Sequence, residues 1–151
     1  MTILLNADSI RGESGISGYQ GWVPVSRCEF GAAAKVRYAA TDEDRVIFSD
    51  VLIERVADAS SPFFLLNLYN RKYDETFKLV FLRSSDDGPV EYLRIELGLC
   101  GVSGIKVVAG EGRPLEQLTL AFRTYLATVH RLGDELTGSP VSAAHDMRAK
   151  R

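Results

Sequence analysis

Cysteine, histidine and tryptophan are scarce in this chain, which has two, two and one of them among 151 residues. Cys28 and Cys100 form no Cys-x-x-Cys motif, and neither has a histidine at ligand spacing, which argues against a zinc site. Isolated cysteines among apolar neighbours are most often buried and reduced. Whether these two approach each other is left open by the sequence. We expect no metal and no cofactor.

Long apolar runs and an excess of one charge are also absent. The apolar run near the N-terminus, Ile3–Leu5, has three residues and is soon followed by Asp8, which is unlike a signal peptide. No stretch approaches the roughly 20 apolar residues that cross a bilayer. The 18 basic and 20 acidic residues are well mixed. We therefore expect synthesis in the cytoplasm, no membrane insertion and no nucleic-acid partner.

The glycine-rich stretch GESGISGYQGWVPV, which begins at Gly12, lacks the motifs of a nucleotide site. It contains neither GxxxxGK[ST] nor GxGxxG, and it runs into a strand pattern rather than the helix start that receives a phosphate. We predict a connection between strands. Trp22 follows the glycines and is interpreted as a packing residue, with a binding-site aromatic as the alternative.

No constellation of catalytic side chains stands out. His145 and Asp146 are neighbours in sequence, but no nucleophile elbow accompanies them, so His145 is interpreted as a solvated histidine of the tail. Asp42, Glu43 and Asp44 lack the ligand spacing and the glycine of a calcium loop. They are interpreted as a solvated loop tip. We expect no enzyme activity.

Strand patterns dominate the chain. In EYLRIELGL, Tyr92, Arg94 and Glu96 alternate with apolar residues, which is typical of a strand with one wet face and one core face. Further strand patterns are TILLNA, GWVPVSRCEF, RVIFSDVLIERV, TFKLVFLRS, GIKVVAG and EQLTLAFRTYLATVH. SSDDGP predicts a hairpin turn. So many strands need their edges hidden, which favours a closed or nearly closed β-barrel, followed by a polar tail from Gly133.

One segment, ADASSPFFLLNLYNRKYDE, predicts a helix. Ser61 is the expected N-cap, and Pro62 occupies the first helical position, where its missing N–H costs nothing. Phe64, Leu65 and Leu68 fall on one helical stripe. We predict a single helix of about three turns that flanks the barrel.

A series of short motifs runs in one order along nearly the whole chain. They are SIRGES, GWVPV, EFG, FSDVLIERVADASSP, VEYLRIELGLCGVS, PLEQLTLAF and GSPVSAAHDM. Together they resemble the haemolysin-coregulated protein (Hcp) family, the tube proteins of bacterial type VI secretion. The residues that match two of the family's motifs are Asp58, Ser61, Pro62, Glu116, Leu120 and Phe122.

The resemblance implies a fold and a way of assembling. It implies a single domain over residues 1–151, with a polar C-terminal segment at 133–151, folded as a compact β-barrel of two sheets with one flanking α-helix, as in phage tail tubes. It further implies homo-hexameric rings that stack into a hollow tube beside sheath and spike components. The tube would carry effector proteins and be secreted without a signal peptide, outside the cell or into a target cell.

Family position also suggests where some side chains lie. Arg27 and Glu29 share a wet face and are expected to look into the lumen. The segment 32–45 is expected to form a loop that reaches between subunits. Its candidate contact residues are Lys35, Arg37, Tyr38, Asp42, Glu43, Asp44 and Arg45.

Two other functions compete with a tube subunit. A monomeric β-barrel that binds a small ligand or peptide would show a ligand-sized cavity. An effector enzyme on a tube scaffold would need an appended catalytic domain, for which 151 residues leave no room.

Overall fold

The computed structural model of the protein describes residues 1–34, 46–130 and 141–147. These residues form eleven strands and one helix. The strands are β1 (Thr2–Asn6), β2 (Val23–Val25), β3 (Arg27–Glu29), β4 (Ala32–Ala34), β5 (Val46–Phe48), β6 (Val51–Val56), β7 (Glu75–Ser85), β8 (Gly88–Val108), β9 (Leu115–Ala121), β10 (Thr124–Val129) and β11 (Val141–Asp146). The helix α1 (Ser61–Tyr69) lies between β6 and β7.

The long strand β8 joins two parts of the sheet. Its first half pairs with β7 and β10, and its second half pairs with β9. Between the halves, Leu99 has a positive φ of 46°. A Cβ on Gly101 would lie 2.1 Å from the carbonyl oxygen of Lys72, so only glycine lets the segment before β7 pass this close. The predicted strands EYLRIELGL and GIKVVAG are therefore one continuous strand.

A mainly β fold with one helix is confirmed, but a closed barrel is not seen in the described residues. The strand order is β2-β1-β7-β8-β9-β6-β3, with β10 and β11 branching from β8 and with β4–β5 as a separate pair. The path ends at β2 and β3, which only Ser26 separates. β2 pairs with β1 and β3 pairs with β6, so the backbone changes partners there and no ladder joins the two ends.

The core lies between the two halves of the sheet and follows the predicted alternation. Leu118, Leu120 and Phe122 are buried, as are Ile95 and Leu97 of β8. The predicted hairpin turn joins β7 to β8, where Ser85 pairs with Gly88. Burying a large apolar side chain contributes about 1.5–3 kcal/mol, so these alternating residues supply much of the driving force for folding.

The glycine-rich stretch is a loop between strands, as predicted, and the structure shows in addition that it covers the outer face of the sheet. Gly12 N–H donates to the carbonyl of Gly21 at 2.7 Å, which closes the loop on itself. Tyr19 packs edge-on against Trp22 with ring centroids 5.1 Å apart. Residues Ile16, Tyr19 and Trp22 lie over a second small core of Leu4, Val80 and Leu82. Trp22 is thus a packing residue.

Helix α1 buries a polar side chain and exposes an apolar one, so the predicted apolar stripe was wrong at Leu65. Phe64 is buried and Leu68 half-buried, whereas Leu65 is exposed and the polar Asn67 is buried. Asn67 Oδ1 accepts a hydrogen bond of 2.8 Å from the Val102 N–H of β8, which offsets part of the cost of burying the amide, whose Nδ2 has no hydrogen-bond partner among the described residues. Among the described residues, no helix is long and apolar enough to span a membrane.

A polar tail was predicted from Gly133, and within it the sequence pattern did not predict the strand at residues 141–146. They form β11, which pairs along its whole length with β10, from Val141 opposite Val129 to Asp146 opposite Thr124. The segment reads VSAAHD and has no strong apolar alternation. Its order comes from backbone pairing with β10, a long-range contact that local sequence does not encode.

We predict that Gly12→Ala destabilises the fold by about 1–3 kcal/mol. A Cβ at this position would lie 2.3 Å from the carbonyl oxygen of Trp22, so the loop must move away from the sheet. Urea unfolding followed by Trp22 fluorescence measures the change. Gly15→Ala is the matched control, because nothing lies within 4 Å of its Cβ position. Equal stability of the two variants would contradict the prediction.

Candidate functional site

Arg27 and Glu29 lie on an exposed polar face of the sheet. Both project from β3, pair with each other and are about half exposed. Arg27 Nη1 also lies 3.6 Å from Glu54 Oε1 on β6, and Gln117 Nε2 on β9 donates to the same oxygen at 3.0 Å. These four side chains come from three neighbouring strands, and we call the surface that they form the polar face.

The polar face continues along β8 and β9 through hydroxyl groups. Ser103 Oγ lies 3.0 Å from Asp50 Oδ2 and 2.9 Å from Thr119 Oγ1. Its charged and polar groups thus bond mainly to one another. Because most of its donors and acceptors already have partners, this surface offers few free groups to a molecule that touches it. It therefore favours contact with water, or weak and reversible contact, over tight binding.

Strands β4 and β5 form a two-stranded arm, defined here as Ala32–Ala34 with Val46–Phe48. The seven candidate loop residues lie between these strands and outside the described residues: Lys35, Arg37, Tyr38, Asp42, Glu43, Asp44 and Arg45. At the base of the arm, Ser49 N–H donates to Gly31 O at 2.9 Å, and Gly31 N–H donates to Ser49 Oγ at 3.1 Å. Two hydrogen bonds therefore fix how the arm leaves the sheet.

An aromatic cluster anchors the arm to the sheet. The Phe48 ring stacks on His145 with centroids 4.9 Å apart, and it also meets Tyr125 at 5.7 Å. Asp146 pairs with Arg123 at 3.2 Å. His145 is exposed, as expected of a solvated histidine, but β11 also places one side of its ring against Phe48 of the arm.

The arm itself is apolar and exposed. Val46 and Ile47 are 50% and 45% exposed. A groove of about 430 Å³ runs along its base. Its lining residues are Gly31, Ala32, Ala33, Ile47 and Ser49. Contiguous exposed apolar surface of this kind marks an interaction site more often than a free surface.

A second exposed apolar surface lies on α1. Phe63, Leu66 and Tyr69 recur at every third position and are 41%, 53% and 70% exposed, and we call them the α1 stripe. They turn outward, while Phe64 and Asn67 turn inward, so the helix carries an exposed apolar stripe in addition to its buried apolar side. This stripe was not predicted from the sequence, which was interpreted as giving the helix a single apolar stripe of Phe64, Leu65 and Leu68.

A buried ion cluster fixes where α1 begins. Arg55 of β6 is fully buried, and its Nη1 donates to Glu116 Oε2 of β9 at 2.6 Å. Its Nη2 bonds to Asp58 and Ser60, just before the helix. The guanidinium carbon lies 4.9 Å from the centroid of the Phe64 ring. One cation thus joins two strands, the strand–helix connection and the helix.

The cluster contains two of the residues that carried the resemblance, Asp58 and Glu116. Burial alone would raise the pKa of the Asp58 carboxyl, but hydrogen bonds from Ser60 and Arg55 outweigh it and lower that pKa. Sequence reasoning missed Arg55 as the centre of the cluster. The signal was available, because alternation in β6 places Arg55 on the same face as the buried Val51 and Ile53.

The described residues offer no assembled reactive or metal-binding group. Cys28 and Cys100 are both free. Burial, reinforced by Glu29, raises the pKa of the Cys28 thiol to about 11, which keeps it protonated and unreactive near neutral pH. Within the described ranges, no three His, Cys, Asp or Glu side chains come together as metal ligands.

Comparison with known proteins gives a family and a fold. The family described as "Type VI secretion system effector, Hcp" matches residues 4–128. Similar solved structures include a type VI secretion system effector from Yersinia pestis (20% identity, 95% of this chain and 98% of that chain covered, TM-score 0.78). Another is Hcp1 from Salmonella typhimurium (18% identity, 99% of this chain and 97% of that chain covered, TM-score 0.81). A third is a type six secretion system protein (14% identity, 99% of this chain and 98% of that chain covered, TM-score 0.87). No curated protein matches the chain.

We predict that Arg55→Met costs about 3–5 kcal/mol of stability, because Asp58 and Glu116 would stay buried without their cation. The free energy of unfolding in urea measures the loss. Arg27→Met is the matched control. That arginine pairs at the surface, so its removal costs under about 1 kcal/mol. A cost for Arg55→Met as small as that of the control would contradict the structural role of the cluster.

We also predict an acid-dependent loss of stability from Asp58. Its folded pKa lies below the usual 3.8, so the unfolded chain takes up the proton first as pH falls. The contribution is therefore complete above that value and is lost as pH falls through the lower folded pKa. Free energies of unfolding between about pH 6 and pH 2 should show the gap between the protein and its Asp58→Asn variant narrowing with acid. A constant gap would refute this assignment.

Proposed function

This chain belongs to the Hcp family of type VI secretion system effectors, and from that premise we propose that it is a structural tube subunit rather than an enzyme. Six copies close into a ring, and rings stack into a hollow inner tube within the sheath and below the spike. Contraction of the sheath exports the tube, without a cleaved signal peptide, to the outside or into a target cell. Effector proteins travel in the lumen.

The observation that carries the proposal is that a single copy leaves apolar surfaces exposed, among them the α1 stripe and the arm. They differ in shape and lie on different elements. A ring forms when one surface of each copy meets a different surface of the next and the rotation closes. A protein that works alone rarely exposes such surfaces.

The edges of the sheet also favour assembly. Among the described strands, β11 pairs with β10 only and β3 with β6 only, so each presents an edge of backbone donors and acceptors. Native proteins cover or pair such edges, because open ones recruit other chains without control. Neighbouring subunits in a ring would cover them in a defined way.

The polar face is the surface we assign to the lumen, with Arg27 and Glu29 on its edge strand β3. Its side chains satisfy one another, so a passing effector meets a wet surface that holds it weakly. We assign the segment beyond the arm to contacts between subunits. The residues proposed for those contacts are Lys35, Arg37, Tyr38, Asp42, Glu43, Asp44 and Arg45.

The mass in solution tests the proposal. Light scattering of the purified protein should give about six times the chain mass of 16.6 kDa, with larger species as rings stack. A mass of 16.6 kDa over a wide range of concentration would overturn the proposal. It would instead favour a monomeric module that binds a small ligand or peptide.

A further inference from the structure

We propose that the α1 stripe of one copy packs into the apolar groove at the base of the arm of a second copy. Each contact around the assembly then joins the helix of one subunit to the arm of the next. This inference rests on the proposed function and adds to it the two surfaces that meet. It assigns a role to Phe63, Leu66 and Tyr69, which the fold of a single chain leaves unused.

The α1 stripe is held outward by the core beneath it. Phe64 is fully buried, and Asn67 Oδ1 bonds to the Val102 N–H at 2.8 Å. Arg55 bonds to Ser60 directly before the helix and lies over Phe64. Rotating the helix to bury Leu66 would expose Phe64 and break the Asn67 bond. The exposed stripe is thus a fixed feature of the fold.

The groove on the arm has the complementary shape. Gly31, Ala32 and Ala33 carry small or no side chains, and Ile47 forms an apolar wall. The groove is shallow and open, with a volume of about 430 Å³, and its small lining residues leave room for a side chain from a neighbouring helix. Large residues project from α1 and small residues line the arm, which is the pattern of interdigitating surfaces.

A second copy explains both surfaces at once. The α1 stripe rests on β8 through Asn67, and the arm rests on Phe122 and Tyr125 through Phe48. Each surface is therefore built on its own support and stays exposed in one copy. A partner of another kind would need a separate site for each surface, whereas head-to-tail association of identical chains covers one of each per contact.

Cross-linking between two different cysteine variants tests the contact. One chain carries Leu66→Cys and the other Ala33→Cys, both on a Cys28→Ser background, since Cys100 is fully buried. The two chains are mixed, assembled and oxidised. We expect covalent dimers that contain one chain of each kind. Either variant alone should give none, because Leu66 of one copy would face Ala33, not Leu66, of the next.

A charge placed on the α1 stripe tests how much the stripe contributes to the stability of the assembly. Leu66→Glu would bury a carboxylate in an apolar groove, and we expect it to raise the concentration needed for assembly by about tenfold or more. Ser84→Glu is the matched control. It adds the same charge to an exposed position near the other end of β7, roughly 30 Å along that strand from the segment after α1, and should assemble as the unaltered protein does.

The outcomes separate this inference from the proposed function. If the unaltered protein assembles but Leu66→Cys reacts fully with a maleimide in the assembly, the stripe is not at a contact and the inference fails alone. A covalent dimer from Leu66→Cys chains by themselves would also overturn it, since two stripes would then face each other. If the unaltered protein stays monomeric, the proposed function is wrong, and the inference that rests on it is wrong as well.

Discussion

The buried guanidinium of Arg55 is the interaction on which most of the structure depends. It pairs with Glu116 of β9 and with Asp58 ahead of the helix, and its plane rests near Phe64. Each carboxylate would be costly to bury alone. Because the partners come from separate parts of the chain, satisfying one cation brings together two strands and the start of α1, and it thereby sets which side of the helix faces outward.

The molecule thus buries a charged cluster within an otherwise apolar core and leaves some apolar side chains exposed at its surface. The helix buries Asn67 and exposes Leu66, and the arm leaves Ile47 uncovered. In a protein that worked alone, this arrangement would leave apolar area in water without compensation. In the ring that we propose, the same residues are the contacts, and the polar face with Arg27 and Glu29 is left for the lumen.

Sequence reasoning correctly predicted the strands in which apolar and polar residues alternate. Alternation in β9 gave Leu118 and Leu120 as core, and the absence of a phosphate-binding motif correctly left the glycines as a loop. The failures came where distant contacts override local pattern. Contacts with β10 and with the arm order β11, and a hydrogen bond from Val102 holds Asn67 inward. For the candidate site, Arg27 and Glu29 were placed on one exposed face, whereas the α1 stripe emerged only from the folded structure.

Electron cryo-microscopy of the assembled protein would test the central claim most directly. We predict a ring with a central hole, with α1 at the boundary between neighbouring subunits and Arg27 and Glu29 on the wall of the hole. A map in which α1 faces open solvent, far from any neighbour, would contradict the link drawn here between the buried ion cluster and assembly. Particles of single copies would contradict the tube itself.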